Sequence, residues 1–300
     1  MTHAAAGYRF VDPRALAALR DLELAARTVV DGVMLGVHRS ARVGAGLEFS
    51  QYRAYQPGDD LRRVDWKLFG RSDRYFVREA ETETSLTVRI LLDATGSMAQ
   101  EEDGLSKFDY ARFLAAALAL LAVRQGDAVG LAAANDDAFV TVRPGRGQRH
   151  LHRVLHALED MSPAGTWPAW DRLERELEAG GTRGITVVIT DVAERADEIR
   201  LTLRKLAALR HDVLCVHVVG RRELELGWSG AVTFEELETG RQLEADADRA
   251  RAGWRVRLDR ELQSLRVELE DRRIAYARVT LDDPLDEALR RFLRPRDRAA

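Results

Sequence analysis

Apolar residues recur along this chain with two different spacings, which together predict a layered α/β fold. Short continuous runs of Val, Ile and Leu, such as TVRILLD (87–93), GITVVITD (184–191) and DVLCVHVV (212–219), are typical of buried parallel strands. Segments with apolar positions three and four apart, such as SKFDYARFLAAALALLAVRQ (106–125), predict helices between them. Strands that alternate with helices predict a doubly wound, mostly parallel sheet.

The rest of the chain adds elements around this sheet. DAVGLAAA (127–134) and AFVTVRP (138–144) predict an antiparallel edge pair, and AVTFEELETGRQL (231–243) predicts a hairpin. Asp12-Pro13 is typical of a helix start, and residues 44–83 predict a small, separate β-rich layer. The predicted organisation is an N-terminal helix and β-rich segment (1–86), an α/β domain (87–222), a β-hairpin insertion that packs with the N-terminal segment (223–246), and the long helix, last strand and closing helix of the α/β domain (247–300).

Composition narrows the function classes. An apolar fraction of 46% and a charged fraction of 32% are typical of a globular protein, and the net charge of −3 gives no chain-wide basic field for nucleic acid. Cys215 lies inside an apolar run and is expected in the core. The apolar run Phe113–Val123 is shorter than a membrane span, and the N-terminus has no signal-peptide pattern, so we expect a cytoplasmic protein.

Polar side chains follow two of the predicted strands at their carboxyl ends, where doubly wound sheets bind ligands. The segment LLDATGSM places an Asp and two hydroxyls after the first strand, and a second Asp ends VVITD. A Gly-Thr pair before the helix WPAWDRLERELEAG (167–180) can bring a third hydroxyl to the same edge. Two carboxylates with hydroxyls suit Mg²⁺ or Mn²⁺, which prefer oxygen ligands. The predicted ligands are Asp93, Thr95, Ser97, Thr166 and Asp191.

Three other interpretations of these residues stay open. Asp93, Thr95 and Ser97 could cap a turn and the next helix without binding metal. Asp93 could be the nucleophile of a metal-dependent hydrolase or phosphatase, although Thr95 stands where such phosphatases carry a second acid. The chain could also be a structural domain with a vestigial site, because Thr95 and the bulky Trp167 both crowd a ligand loop.

The same residues resemble the metal-ion-dependent adhesion site of von Willebrand factor A domains. Asp-x-Thr-x-Ser, then Gly-Thr, then Thr-Asp after an apolar strand is similar to that pattern, over residues 87–222 and 274–294. In that family the middle position of the first motif is usually Ser, and here it is Thr95. The resemblance implies a von Willebrand A-type sheet and a bound Mg²⁺ or Mn²⁺ that accepts an acidic oxygen from a protein partner.

A second resemblance covers residues 46–83, GLEFSQYRAYQPGDDLRRVDWKLFGRSDRYFVREAETE. This segment is similar to the signature of domain of unknown function fifty-eight, through Glu48-Phe49, Tyr52-Arg53, Tyr55, Pro57-Gly58-Asp59-Asp60, Arg62, Asp65-Trp66-Lys67 and Arg71. The resemblance implies work with a MoxR-type AAA+ ATPase and with other von Willebrand A-domain proteins. It implies no enzymatic activity.

The signature segment mixes opposite charges with an aromatic anchor, which suits either of two roles. Buried, it would clasp the small layer through charge-assisted hydrogen bonds; exposed, it would be a surface for docking a protein partner. A single-stranded nucleic acid site is disfavoured because the basic stretch is short. His150, His152 and His156 lack a metal-ligand pattern and are expected on a solvated helix face. The residues of the clasp or docking surface are Tyr52, Arg53, Asp59, Asp60, Arg62, Asp65, Trp66 and Lys67.

Overall fold

The structure is a computed structural model of the chain. It describes residues 12–19, 21–40, 52–54, 76–78, 86–135, 139–178, 184–193, 197–209, 212–235, 237 and 240–293. The chain divides into two compact units, one of residues 1–35 with 86–300 and the other of residues 36–85. The larger unit resumes at residue 86, next to the predicted boundary, and it also includes residues 1–35, which were predicted in the N-terminal segment.

A six-stranded sheet forms the centre of the larger unit, in the order β12-β9-β8-β3-β6-β7. Five strands run parallel, and β7 pairs antiparallel with β6 at the edge. The mostly parallel sheet and its antiparallel edge pair are therefore confirmed. The strands are β3 (Thr87–Asp93), β6 (Ala128–Ala134), β7 (Phe139–Gly145), β8 (Ile185–Thr190), β9 (Asp212–Val219) and β12 (Ala275–Thr280).

Helices cover both faces of this sheet, because alternate strand residues point to opposite sides. Ile90 and Leu92 of β3 pack into one core cluster, and Leu91 packs into the other. Cys215 is fully buried, as predicted. The helices are α1 (Pro13–Leu19), α2 (Leu22–Ser40), α3 (Lys107–Arg124), α4 (Gln148–Glu159), α5 (Trp170–Glu178), α6 (Glu198–Ala208), α7 (Arg221–Glu225), α8 (Ala247–Asp271) and α9 (Leu285–Leu293).

The N-terminal apolar pattern forms two helices, α1 and α2. Asp21 separates them, and its Oδ1 accepts a hydrogen bond from the amide of Leu24 at 2.9 Å, which caps the start of α2. Leu16 of α1 and Val29 of α2 are buried in the core cluster that also contains much of α3. Among the described residues, no helix is long and apolar enough to cross a membrane.

The edge strand β7 is irregular. Its register against β6 shifts between Val129 and Leu131. Pro144 lies opposite this shift, and a Cβ placed on Gly130 would meet the Pro144 ring at 3.0 Å. Gly130 therefore allows the proline ring to pack against the neighbouring backbone.

Residues 221–264 form an arm made of α7, the hairpin of β10 (Ala231–Glu235) and β11 (Gln242–Asp246), and the first part of α8. In the described part of the arm, the buried side chains are Leu226 and Ala247. Trp254 donates its indole N–H to the carbonyl of Glu223 at 2.7 Å, so α8 is hydrogen-bonded to α7. The predicted hairpin and long charged helix are confirmed.

The smaller unit contains a short antiparallel pair, β1 (Tyr52–Ala54) with β2 (Phe76–Arg78). Tyr52 and Arg53 of the predicted clasp or docking surface lie in β1. The other residues of that surface lie outside the described residues, and so does most of the N-terminal segment (1–86) with which the hairpin was predicted to pack. Both interpretations stay predictions. The residues concerned are Asp59, Asp60, Arg62, Asp65, Trp66 and Lys67.

The prediction of a solvated face for the three histidines is wrong for one of them. His150 is buried, and its Nε2 lies 2.7 Å from the carbonyl oxygen of Val129. Its ring fills the space beside Gly145, where a Cβ would lie 2.5 Å from the His150 Nδ1. His152 and His156 are exposed, as predicted.

Candidate metal site

The two predicted carboxylates lie side by side at the carboxyl edge of the sheet. β3 and β8 are parallel neighbours, with Leu92 paired to Ile189, so Asp93 and Asp191 follow adjacent strands. Thr190 donates its hydroxyl to Asp93 Oδ2 at 2.6 Å. Asp93 and Thr190 are completely buried, and Asp191 is 4% exposed. The sheet therefore holds both carboxylates inside the protein.

The site loop (residues 93–99) links these carboxylates through its hydroxyls. The amide of Thr95 donates to Asp93 Oδ1 at 2.9 Å, and residues 96–99 form a 3₁₀ turn. The hydroxyls of Thr95 and Ser97 lie 3.0 Å apart, and Ser97 donates to Asp191 Oδ1 at 3.1 Å. The structure thus connects four of the five predicted ligands in one chain of hydrogen bonds.

The fifth predicted ligand, Thr166, lies in a loop that is hydrogen-bonded to the site loop. The amide of Gly96 donates to the carbonyl of Gly165, and the amide of Ala164 donates to the carbonyl of Ala94, each at 2.9 Å. Gly165 has a φ of 65°, a conformation that favours glycine. Thr166 follows directly and is half-buried.

Trp167 does not crowd this loop. Its side chain is buried in the second core cluster, and its indole N–H donates to the hydroxyl of Thr202 on α6 at 3.1 Å. The predicted conflict between a bulky residue and a ligand loop is therefore absent at this position, because the ring belongs to the core.

Lys107 is a residue of the site that sequence reasoning missed. It begins α3, and its side chain is 2% exposed. Its ammonium lies 3.0 Å from Asp191 Oδ2 and 2.8 Å from Glu223 Oε2 on α7. A buried ammonium thus sits beside one of the two carboxylates.

The start of α7 is held close to the site by a tight contact. Both carboxylate oxygens of Glu102 lie within hydrogen-bond distance of the amide of Arg222, at 3.0 and 3.2 Å. A Cβ on Gly220 would lie 2.0 Å from Glu102 Oε1, so a larger residue there would force the Glu102 carboxylate to move. This contact fixes the helix that carries Glu223.

Burial and neighbouring charges change the protonation of this region. Burial, followed by the charge of Asp191, raises the pKa of Asp93 to about 7, although hydrogen bonds from Thr190 and Thr95 oppose the shift. Burial lowers the pKa of His217 to about 4. Burial alone would lower the pKa of Lys107, but Asp191 and Glu223 outweigh it and raise that pKa.

The donor atoms at this edge suit a hard divalent cation. They are carboxylate and hydroxyl oxygens, which Mg²⁺ and Mn²⁺ prefer, with neither thiolate nor imidazole among the predicted ligands. In the described part of the chain, no group of three or more His, Cys, Asp and Glu side chains could hold a metal ion. A cation here would therefore draw on the Thr95 and Ser97 hydroxyls and on water.

Three residues of the site were not predicted from the sequence, and they differ in how clearly the local sequence marks them. Thr190 directly precedes Asp191 in the motif ITD, so its place at the end of a neighbouring strand was readable. Lys107 lies in SKFD at the start of the predicted helix 106–125, where Ser106 accepts a hydrogen bond from the amide of Asp109 at 2.9 Å, so its local pattern marks a helix start and not a site. Glu223 is far from both in sequence, and no local pattern marks it.

Comparison with known proteins gives a family match without a known function. A family model described as "Protein of unknown function DUF58" matches residues 51–267. Uncharacterized proteins of Mycobacterium tuberculosis (strain ATCC 25618 / H37Rv) and Mycobacterium bovis (strain ATCC BAA-935 / AF2122/97) are each 34% identical to this chain over 235 residues. The alignments cover 76% of this chain and 73% of each relative.

Solved structures with partial similarity include two from Bacteroides species. The conserved hypothetical protein BatB of Bacteroides thetaiotaomicron is 15% identical, with a TM-score of 0.44 over 69% of this chain and 96% of that chain. An aerotolerance-related membrane protein of Bacteroides fragilis NCTC 9343 is 16% identical, with a TM-score of 0.45 and the same coverage.

Proposed function

This chain belongs to the DUF58 family, and from that premise we propose that it is a non-enzymatic protein–protein interaction module that depends on a divalent cation. The proposed cation is Mg²⁺ or Mn²⁺, held at the carboxyl edge of the sheet. The proposed ligands are Asp93, Thr95, Ser97, Thr166 and Asp191.

One observation carries this proposal: the hydrogen-bonded chain from Asp93 through Thr95 and Ser97 to Asp191. These side chains come from two strand ends that are far apart in sequence, and their oxygens converge. The mostly parallel sheet, with its antiparallel edge strand, supports the proposed von Willebrand A-type fold.

The composition of the site favours recognition of an acidic group. When bound, the cation brings positive charge, and the site's carboxylates and hydroxyls leave at least one of its coordination positions to water, which an acidic oxygen of a partner can replace. Asp93 and Asp191 hold this charge, while Thr95 and Ser97 orient the loop around it. The resemblance of residues 46–83 to the family signature extends the proposal to a MoxR-type AAA+ ATPase as the partner, in the activation or assembly of target proteins.

Thermal unfolding across a titration with MgCl₂ and MnCl₂ tests the cation site. We expect the wild type to gain about 2.7 kcal/mol when the cation is at about one hundred times its dissociation constant. The variant Asp93→Ala should lose this gain. Asp127→Ala is a matched control, because Asp127 caps Leu86 at the opposite end of β3. No shift in the wild type at tens of millimolar cation would contradict the proposal.

Capture of the partner tests the adaptor role. Purified MoxR-type ATPase should bind the immobilised chain in the presence of Mg²⁺ and dissociate when EDTA is added. Asp93→Ala should bind weakly with or without Mg²⁺. Binding that is unchanged by EDTA would contradict a contact mediated by the divalent cation. So would binding that falls steeply as the salt concentration alone is raised.

A metal-dependent phosphatase using Asp93 is the second candidate, and the position of Lys107 favours it. Carboxylate-based phosphoryl-transfer sites pair their nucleophile with cations that neutralise the phosphate. Here the Lys107 ammonium is a buried cation of the same site, but it is already paired with Asp191 and Glu223 and Asp93 is completely buried, so the interaction module remains the first candidate. Hydrolysis of para-nitrophenyl phosphate with Mg²⁺, abolished in Asp93→Ala, would support this candidate over the first.

A further inference from the structure

Lys107 lies where it can control how tightly the candidate site binds a cation. We infer that its ammonium is a built-in cation that competes with a divalent cation for Asp191, so that Lys107 sets the affinity and Glu223 receives the ammonium when the site is loaded. This inference rests on the proposed function, because it assigns the residue that regulates that same site.

The hydrogen bonds around Asp191 support this competition. Asp191 Oδ1 accepts hydrogen bonds from the Ser97 hydroxyl and from the amide of Ala193, each at 3.1 Å. Asp191 Oδ2 accepts from the Lys107 ammonium at 3.0 Å. Both oxygens are therefore engaged, and a cation that ligates Asp191 either displaces one of these donors or shares the carboxylate with it.

Of these donors, the Lys107 ammonium opposes a divalent cation most strongly, because it carries a full positive charge. It is nearly excluded from solvent, so water screens its repulsion of the incoming cation poorly. The neutral Ser97 hydroxyl, by contrast, can turn its hydrogen away and ligate a cation through its oxygen. A divalent cation must therefore either displace the Lys107 ammonium from Asp191 or bind beside it.

Glu223 offers the displaced ammonium a second partner. Its Oε2 already lies 2.8 Å from the Lys107 Nζ, so the ammonium can stay paired after it leaves Asp191. Glu223 is held in place from two sides. Its Oε2 accepts from the amide of Gly220 at 3.3 Å, and its carbonyl accepts from the indole of Trp254 at 2.7 Å.

Calorimetric titration with MnCl₂ and MgCl₂ of the full chain and its variants tests the inference. Lys107→Met removes the ammonium and keeps a long apolar side chain, so it should bind the cation roughly tenfold more tightly or better than the wild type. Lys205→Met is the matched control, since Lys205 lies over the Trp170 ring away from the site and its loss changes the net charge equally. It should bind as the wild type does.

Glu223→Gln is a second variant that keeps the test decisive if Lys107→Met does not fold. Among the described residues, it leaves the ammonium with Asp191 as its one carboxylate partner, so cation binding should weaken severalfold. Unchanged or weaker binding in Lys107→Met would overturn the inference, as would unchanged or tighter binding in Glu223→Gln. Either result would assign Lys107 to holding Asp191 in place.

The same titrations separate this inference from the proposed function. Cation binding by the wild type, with equal or weaker binding in Lys107→Met, would overturn the inference alone. Binding by Lys107→Met without binding by the wild type would support the inference and overturn the proposed function for the native chain. No binding by either protein would overturn both.

Discussion

The carboxyl edge of the sheet and the arm are both rich in charged side chains, but they keep these charges in different surroundings. At the carboxyl edge, Asp93, Lys107 and Asp191 are buried, Lys107 donates a hydrogen bond to Asp191, and Asp93 accepts one from the amide of Thr95. In the arm, pairs such as Arg249–Asp246 and Arg251–Asp248 face solvent on and beside α8. The two regions use the same side-chain chemistry at very different dielectric constants.

This difference decides what each charge contributes. An exposed ion pair adds little to the free energy of unfolding, because water solvates both charges almost as well apart as together. A buried charge whose partner is removed is costly, since it has neither water nor a counter-charge. Substitutions at the carboxyl edge should therefore have large effects, and equivalent ones in the arm small effects.

The largest effect is expected for Asp191→Ala in the presence of a chelator. Lys107 would then keep only the partly exposed Glu223 as a partner, and the free energy of unfolding should fall by about 3–5 kcal/mol. Asp248→Ala in the arm removes a carboxylate that accepts from the amide of Gly230 and pairs with Arg251, and its effect should be much smaller. Urea unfolding of both variants measures the contrast.

A double variant checks the cause of that loss. If the unpaired ammonium is responsible, Lys107→Met combined with Asp191→Ala should recover most of the stability lost in Asp191→Ala. Additive losses in the double variant would show that Asp191 stabilises the fold through its other hydrogen bonds, to Ser97 and Ala193.

The next effect is a pair of opposite pH dependences within the carboxyl edge. The pKa of Asp93 rises from 3.8 to about 7, so the folded state keeps a proton that the unfolded state releases, and stability falls as pH rises through this window. The pKa of His217 falls from 6.5 to about 4, so the unfolded state binds a proton first, and stability falls as pH decreases through that window.

Single variants should reveal these two opposite dependences of the free energy of unfolding on pH, each with a slope of up to about 1.4 kcal/mol per pH unit. Asp93→Asn leaves the His217 contribution, so its stability should rise more steeply than that of the wild type between about pH 4.5 and 6.5. His217→Gln leaves the Asp93 contribution and should show the reverse. Urea midpoints in the presence of EDTA measure both, and parallel curves for the three proteins would contradict the prediction.

Smaller effects on stability are expected when a helix cap is removed. One cap lies in the α/β core, at the start of α3, and the other lies in the arm, at the start of α8. Ser106 caps α3 by accepting from the amide of Asp109, and Asp246 caps α8 by accepting from the amides of Asp248 and Arg249. Ser106→Ala should lower the free energy of unfolding by about 1 kcal/mol. Asp246→Ala should mainly speed hydrogen exchange at the start of α8, because that part of the arm contributes little buried surface.

Hydrogen exchange read residue by residue separates the two outcomes. Faster exchange throughout the sheet in Asp246→Ala would show that the arm unfolds together with the α/β core. That result would contradict the claim that substitutions in the arm have only small effects on the stability of the α/β core.

The smallest effect is expected at Leu243 on the hairpin, whose side chain is 65% exposed. Leu243→Ser should change the free energy of unfolding by less than about 0.5 kcal/mol, the usual range for exposed positions. Chemical unfolding measures it. A loss well above this range would show that the apolar face of the hairpin, which includes Phe234 opposite Leu243, is covered in the folded protein.

The sequence predicted the carboxyl edge well wherever strand order decides the geometry. Asp93 and Asp191 each end an apolar run, and parallel neighbours place such ends together, so their proximity followed from the pattern alone. These predictions needed only the direction of each strand.

Contacts that depend on long-range packing could not be predicted in this way. Lys107 reaches Asp191 because α3 begins beside the carboxyl edge of the sheet, and it reaches Glu223 because Glu102 holds α7 nearby. His150 was misplaced for a different reason. It shares a helix face with Val154 and Leu158, which are also buried, and this spacing was available in the sequence.

The irregular strand β7 has a consequence for how these molecules behave at high concentration. Open β-sheets can grow by pairing their edge strand with a strand of another molecule. In β7, Pro144 lacks an amide hydrogen, and the shift in register beside Gly130 disrupts the regular ladder. This side of the sheet therefore resists addition of a further strand and protects the folded chain against edge-to-edge aggregation.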